Sequence, residues 1–307
     1  MFEAFQFGPF TIWTRLVFLL LGIWLSTEFF LRLAQSAPLS LQHIRANSWQ
    51  YLLAFLVGGR LFAIIAEYRV YLKDLPRIFI VWDGGFSFLG AAVGIAFVLY
   101  FATRDQRSTF LQWLDALLPA TMLGLVFNWI GAFASGAYYG RPTDSIFGVT
   151  YDAMNVRYAV PIHPVQLYYA LFYFVLTFLL LLIRKREKRV GAETLFGIVV
   201  AAIATFLFEY FRGDFGIPVF AMKIDFVVLL MLFVSLGVFA VIELKLTQRQ
   251  LILSEALLSL VYGGYLFVRP WLPFATFELR FSQFLSILSL LATVVYVVVH
   301  RRRYPHL

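Results

Sequence analysis

An all-α fold, a polytopic integral membrane bundle of helices, is what this sequence predicts, and three observations predict it. Of its 307 residues 62% are hydrophobic and only 14% are charged, with a mean hydropathy of +0.83, whereas a soluble domain is about half apolar and about a quarter charged. Apolar stretches long enough to cross a bilayer recur along the chain and outnumber the polar segments that would have to cover them in water. Aromatic residues reach 19%, with 35 Phe, 16 Tyr and 7 Trp, and several stand at the ends of those stretches, where an interfacial belt holds such rings.

Taken in order, the candidate spans cover about residues 10 to 33, 48 to 68, 85 to 103, 112 to 137, 164 to 183, 194 to 211, 225 to 244, 251 to 268 and 281 to 299, nine in all. The first has no Lys or Arg before it, is longer than a signal-peptide core and carries Arg32 and Arg45 on its far side. It reads as a retained helix. Fourteen Lys and Arg follow the odd-numbered spans and nine follow the even-numbered ones, with the cluster from Arg184 to Arg189 the strongest contribution. The positive-inside rule then puts the N-terminus outside and the C-terminus inside. The longest polar connection, Tyr138 to His163, falls outside, as a plain hydrophilic loop or as a binding segment over a site. The chain divides into residues 1–244 and an appended C-terminal helix pair, 245–307.

The formal charge of +8 is distributed in short clusters between spans, so topology explains it and nucleic acid is not implied as a partner. Cysteine is absent, which excludes disulfides, thiolate metal sites and a cysteine nucleophile. No metal and no cofactor is implied.

Charges inside apolar spans are costly and tend to be functional. They are Arg15, Glu28, Arg60, Asp115, Glu209, Arg212, Asp225 and Glu255. Glu28 and Arg32 can pair at i and i+4, and Arg15 can snorkel to the headgroups from the outer end of its helix. Arg60 follows Gly58 and Gly59, where small residues admit another backbone or a lipid; alternatively it bonds to carbonyls in a close helix packing. Glu209 and Arg212 at i and i+3 either neutralise each other or leave Arg212 to grip a lipid phosphate through its planar fork. Trp82, Asp83, Gly84 and Gly85 precede the third span, so the amides of a helix start could receive an anion, or Asp83 could simply cap the helix. His163 before Pro164 reads alone as an interfacial residue.

In their order these segments resemble the prolipoprotein diacylglyceryl transferase family. The resemblance rests on Gly58-Gly59-Arg60-Leu61, Trp82-Asp83-Gly84-Gly85-Phe86-Ser87-Phe88, Asp115 with Pro119 and Gly124, Gly140-Arg141-Pro142-Thr143-Asp144, His163-Pro164 with Gln166-Leu167-Tyr168, and Glu209-Tyr210-Phe211-Arg212. It covers about residues 10 to 244. The resemblance implies seven family-like helices with an outside N-terminus, in the bacterial inner (cytoplasmic) membrane. It also implies transfer of diacylglyceryl from phosphatidylglycerol to the lipobox cysteine of a lipoprotein precursor. The acceptor thiol comes from that partner.

The departures are chemical. Where the family has His-Gly-Gly this chain has Leu89-Gly90-Ala91. The family signature Gly-Arg-x-Gly-Asn-Phe-x-Asn-Gly-Glu reads here Asn128-Trp129-Ile130-Gly131-Ala132-Phe133-Ala134-Ser135-Gly136-Ala137, so its Arg is Trp129, its two Asn are Ala132 and Ser135, and its Glu is Ala137. A further family Arg, four residues before Glu209, is Thr205. Shape-giving residues persist while groups that would steady a phosphate leaving group or deprotonate a thiol are gone. Three readings follow. In the first, the protein binds an anionic, phosphatidylglycerol-like phospholipid through Arg60, Gly84, Gly85, Arg141 and Arg212, with transfer lost or altered. In the second, it is an active divergent transferase with His163, Glu209 and Arg212 as catalytic candidates. In the third, it is a structural or accessory subunit of a membrane complex that docks through the appended pair.

Overall fold

The computed structural model describes residues 4–7, 10–37, 39–79, 85–103, 107–151, 156, 158–186, 189–213, 221–222, 225, 227, 229–231, 234, 248–272 and 278–303. The fold is all-α and polytopic, with two short antiparallel ribbons. One ribbon, β1 (Ala4–Phe7) with β2 (Phe10–Trp13), leads directly into α1 (Thr14–Ser36).

Seven further helices make up the first compact unit, Met1–Ile217. They are α2 (Gln42–Ala46), α3 (Ser48–Ala66), α4 (Tyr68–Tyr71), α5 (Phe88–Ala102), α6 (Arg107–Ala134), α7 (Val165–Arg186) and α8 (Ala192–Phe208). Six helices among the described residues are long and apolar enough to cross a membrane; α1, α3, α6, α7 and α8 supply five, and α5 is a shorter apolar helix. Their outer faces are apolar as well, with Trp24 on α1 65% exposed. Helices that are apolar all round are stable only where lipid replaces water. The chain is therefore a multi-pass membrane protein.

Helix α6 is the centre of the unit, packing on α1, α5, α7 and α8. Phe30, Leu33 and Ala34 of α1 close on Trp113, Ala116 and Ala120 of α6. Met122, Leu125 and Val126 of α6 close on Val165, Tyr169, Tyr173 and Leu176 of α7. Helices α3 and α5 cross at glycine. A Cβ added to Gly58 would meet the Gly90 carbonyl oxygen at 2.5 Å, and one added to Gly94 would meet the Ala54 oxygen at 2.2 Å. The expected close approach at Gly58 is thus made by a neighbouring backbone, the small-residue packing that holds helices together where no hydrophobic drive separates protein from lipid.

The second unit, Pro218–Leu307, contains β3 (Ala221–Met222), α9 (Gln248–Val268), β4 (Glu278–Leu279) and α10 (Phe281–Arg303). Asp225 in it pairs with Arg269 at 3.0 Å. Every expected span has its helix except that from 225 to 244, most of which lies outside the described residues.

Candidate functional site

The end of the bundle where α6 and α8 finish and α7 begins gathers most of the singled-out polar residues. Helix α6 ends at Ala134, and the chain then turns through Gly136 (φ 70°) and Tyr138 (φ 56°). A tyrosine in the left-handed region is uncommon and persists only where its surroundings hold it. What holds it here is cationic. Arg15 Nη2 donates to the Tyr138 hydroxyl at 2.8 Å, and the guanidinium carbons of Arg15 and Arg212 each lie 4.9 Å from the Tyr138 ring centroid. A guanidinium within about 6 Å of an aromatic face is attracted by its quadrupole.

Arg212 reaches this place because α8 tightens into a 3₁₀ turn at Glu209–Phe211 and then runs extended. Its Nη1 donates to Glu209 Oε1 at 2.8 Å, the two side chains being only 7% and 2% exposed. The same carboxylate oxygen accepts from the Tyr169 hydroxyl at 3.2 Å. The self-neutralised pair is therefore present, and the guanidinium that makes it also faces Tyr138.

Backbone bonds fasten the loop to this corner. Gly140 bridges Arg212, Arg141 N–H donates to the Phe211 carbonyl at 2.8 Å, and Gly213 N–H donates to the Tyr139 carbonyl at 3.0 Å. Glycine at 140 is required by space, since a Cβ there would lie 2.2 Å from the His163 carbonyl oxygen. The Arg141 side chain, exposed, turns its Nε to the Arg212 carbonyl at 3.1 Å. His163 N–H donates to the Arg141 carbonyl at 3.0 Å, while its Nδ1 sits 3.2 Å from the Tyr168 hydroxyl and its ring stands edge-on to Phe211. Buried Gln166 ties the turn to the loop, donating to the Ala137 carbonyl at 2.7 Å and accepting from Tyr151 at 3.2 Å. Burial pushes the Tyr151 hydroxyl above its ordinary range.

The departures at the corner carry no charge, and one of them is a ring. Trp129 stacks face to face on Tyr169, centroids 4.0 Å apart and planes 6° from parallel, and meets Tyr138 edge-on at 5.7 Å. Thr205 Oγ1 is 3.3 Å from the Tyr173 hydroxyl. Ala132 is fully buried in packing. A column of Tyr173, Tyr169, Trp129 and Tyr138 thus runs along the corner and ends at the two arginines.

Arg60 stands in a separate cluster. Its Nε, Nη1 and Nη2 donate to the carbonyls of Ile78, Gly85 and Arg77 at 3.2, 2.7 and 2.7 Å, and it lies 5.2 Å from the Tyr71 ring centroid. This is the carbonyl-bonded arrangement, which pins the connection before α5. Trp82, Asp83 and Gly84 lie outside the described residues. The cap of α5 is Ser87, whose hydroxyl accepts from Gly90 N–H at 3.2 Å, not Asp83, because the helix begins only at Phe88. Leu89 is 41% exposed on α5.

Two residues acquire places that spacing along the chain did not suggest. Arg15, expected to snorkel, is turned inward onto Tyr138, and the signal that could have found it is the tyrosine itself at the turn after α6. Asp115 is a cap. Its Oδ2 accepts from Gly191 N–H at 2.7 Å and its Oδ1 from the Thr194 N–H and hydroxyl at 3.0 and 2.6 Å, which satisfies the start of α8. Glu28 and Arg32 form the i, i+4 pair at 2.8 Å.

The family model described as prolipoprotein diacylglyceryl transferase matches residues 3–299. A phosphatidylglycerol--prolipoprotein diacylglyceryl transferase of Polynucleobacter necessarius is 31% identical over 224 residues, covering 68% of this chain and 81% of its own. Another of that name, from Pseudoalteromonas atlantica, is 30% identical over 216 residues, covering 68% of this chain and 74% of its own. A match over nearly the whole chain settles membership: this chain belongs to the prolipoprotein diacylglyceryl transferase family.

Proposed function

We propose that this protein holds an anionic, phosphatidylglycerol-like phospholipid at the Arg15–Tyr138–Arg212 corner and has lost or altered diacylglyceryl transfer to the lipobox cysteine of a lipoprotein precursor. The observation that carries the reading is the stacking of Trp129 on Tyr169 at 4.0 Å beside a Glu209 already bonded to Arg212 and Tyr169. Thiol transfer needs a base or electrostatic activation for the nucleophile, and charge stabilisation where the glycerol phosphate departs. The carboxylate here is neutralised, and the ring of Trp129 supplies no charge. Binding is a lesser demand. Arg15 and Arg212 bring two guanidinium groups to one tyrosine, and guanidinium groups bond a phosphodiester through charge-assisted, two-pronged contacts.

The site faces the outer leaflet of a bacterial cytoplasmic membrane under the basic-loop topology. Reporter fusions at Glu187 and Asp152 should signal opposite sides, and same-side signals would remove that placement. Complementation of a transferase-depleted strain tests the chemistry, with failure to restore lipidated lipoprotein as the expected result. One observation favours the alternative of an active divergent enzyme: His163 N–H bonds the Arg141 carbonyl, and the neighbouring Gly140 bridges Arg212. Restored lipidation that His163→Ala abolishes would establish it.

A further inference from the structure

The opposite end of the same helices holds a polar cavity. Helices α6, α7 and α8 carry one end to Trp129, Val165 and Phe208 and the other to Gln112, Arg184 and Glu193. At about 1.5 Å per residue the α7 ends are roughly 30 Å apart. The cavity, ≈ 120 Å³, is lined by Gln112, Asp115, Arg184, Arg189 and Glu193, with Ala37, Ile183 and Val190 as its apolar wall.

Its electrostatics are incomplete. Asp115 is occupied as the cap of α8. Arg184 meets Glu193 through a single contact, Nε to Oε2 at 3.1 Å, rather than through a two-pronged fork. That leaves Arg184 Nη1, a donor, and Glu193 Oε1, an acceptor, buried and without partners among the described residues. The Glu193 side chain is 5% exposed and that of Arg184 21%. Unsatisfied buried groups of this kind are uncommon and ask for an occupant.

We infer that this cavity is a headgroup site for a phospholipid whose phosphodiester carries a hydroxylated substituent. The orphan donor of Arg184, with Arg189 beside it, fits phosphate oxygens; the orphan carboxylate oxygen of Glu193 fits a hydroxyl that donates. Water alone satisfies each atom singly, but the surroundings select for an anion. Arg184, Lys185 and Arg186 close α7 and Arg189 opens the next turn, and such a basic edge beside membrane helices draws anionic lipid. Arg184, the more exposed partner, is the side chain that shifts to admit the headgroup. Binding here does not depend on the Arg15–Tyr138–Arg212 reading and forms no covalent bond.

The test is retention and titration of phosphatidylglycerol by the full chain, purified in detergent and read by native mass spectrometry. Arg189→Gln removes a cation from an exposed residue of the lining and leaves both residues of the buried pair in place. The double variant R184Q/E193Q keeps the pair neutral if a single change unfolds the protein. Either should weaken binding of one phosphatidylglycerol about tenfold, the scale of one charge-assisted bond. Phosphatidylcholine, which lacks the hydroxyls, should not replace that lipid, and the Arg212→Gln variant should keep it. Unchanged affinity in both variants overturns the inference. So does equal competition by inorganic phosphate, which would make the occupant a free anion, or equal binding of phosphatidylcholine, which would leave only a solvated cavity.

Discussion

The two ends of the α6–α7–α8 group use the same ingredients, a buried carboxylate and an arginine, to different purposes. At the Asp115 end the carboxylate takes three hydrogen bonds, from Gly191 N–H, Thr194 N–H and the Thr194 hydroxyl, and so fixes where α8 begins. At the Glu209 end the carboxylate takes Arg212 and Tyr169, while two arginines crowd one tyrosine held at a left-handed φ of 56°. The first arrangement satisfies its backbone and carries no strain of that kind. The second brings two guanidinium groups and a strained tyrosine to one corner, the arrangement on which the proposed corner site rests. A buried carboxylate thus marks architecture or function according to what it bonds.

The sharpest way to break this comparison is at the cap. Asp115→Ala strands two N–H groups at the buried start of α8, and each unsatisfied buried donor costs about 1–3 kcal/mol. We expect about 3 kcal/mol of lost stability, read as a lower detergent-phase unfolding temperature and a poor folded yield, with Asp115→Asn losing about half as much. A melting temperature unchanged in Asp115→Ala would mean that the end is held by packing alone.

The Glu209 end should respond next. Removing one partner of a buried ion pair costs about 3 kcal/mol because a charge is left alone, whereas removing both costs less than the sum. Glu209→Gln removes the carboxylate that Arg212 meets at 2.8 Å, so thermal unfolding should shift nearly as far as in Asp115→Ala. Glu209→Gln with Arg212→Gln should recover part of the loss. Strict additivity in that cycle would show that the 2.8 Å contact contributes nothing of its own.

These contrasts also show what the sequence could disclose. Helix positions were legible because apolar runs of about 20 residues have one interpretation in a bilayer. The Glu209–Arg212 pair was legible because i, i+3 neighbours share a helix face. The Gly58–Gly59 step announced a close approach, although whether a backbone or a lipid fills it depends on Gly90 and Gly94 of another helix. Long-range partners were not legible. Arg15 meets Tyr138 across 123 residues, and only the turn through Gly136 brings them together. Asp115 caps a helix that begins 77 residues later, so a charge inside an apolar span looked functional when it is a satisfied cap.

Lipid retention gives an intermediate effect and corrects an expectation drawn from spacing. If Arg15 merely snorkelled, Arg15→Gln would leave bound phosphatidylglycerol unaltered. Facing Tyr138 at the same 4.9 Å as Arg212, it should matter. We expect Arg15→Gln to weaken binding of the phosphatidylglycerol held at this corner several-fold and Arg212→Gln to weaken it about tenfold, each relative to a helix-surface control such as Arg32→Gln. Equal retention in all three variants would leave packing as the account of the corner.

The smallest effect is expected where the resemblance to the family suggests the largest. Leu89→His restores the residue that the family's His-Gly-Gly carries there, yet we expect no lipidated precursor when purified Leu89→His protein is supplied with phosphatidylglycerol and a lipobox-bearing precursor. Groups that act as a unit return little when one is replaced, and the structure shows why that holds here. Leu89 is 41% exposed on α5, and Arg60, the guanidinium of the neighbouring helix α3, already donates to three carbonyls of the preceding connection. A lone imidazole at 89 could take a thiol's proton, but transfer would still need the departing phosphate to be stabilised at the corner. There Trp129 and Thr205 occupy the two places where the family has arginine, one in an aromatic stack and one bonded to Tyr173. Product from Leu89→His alone would show that Arg15, Arg141 and Arg212 suffice for that charge, and the corner would then be an active site lacking one base rather than a binding site lacking its chemistry.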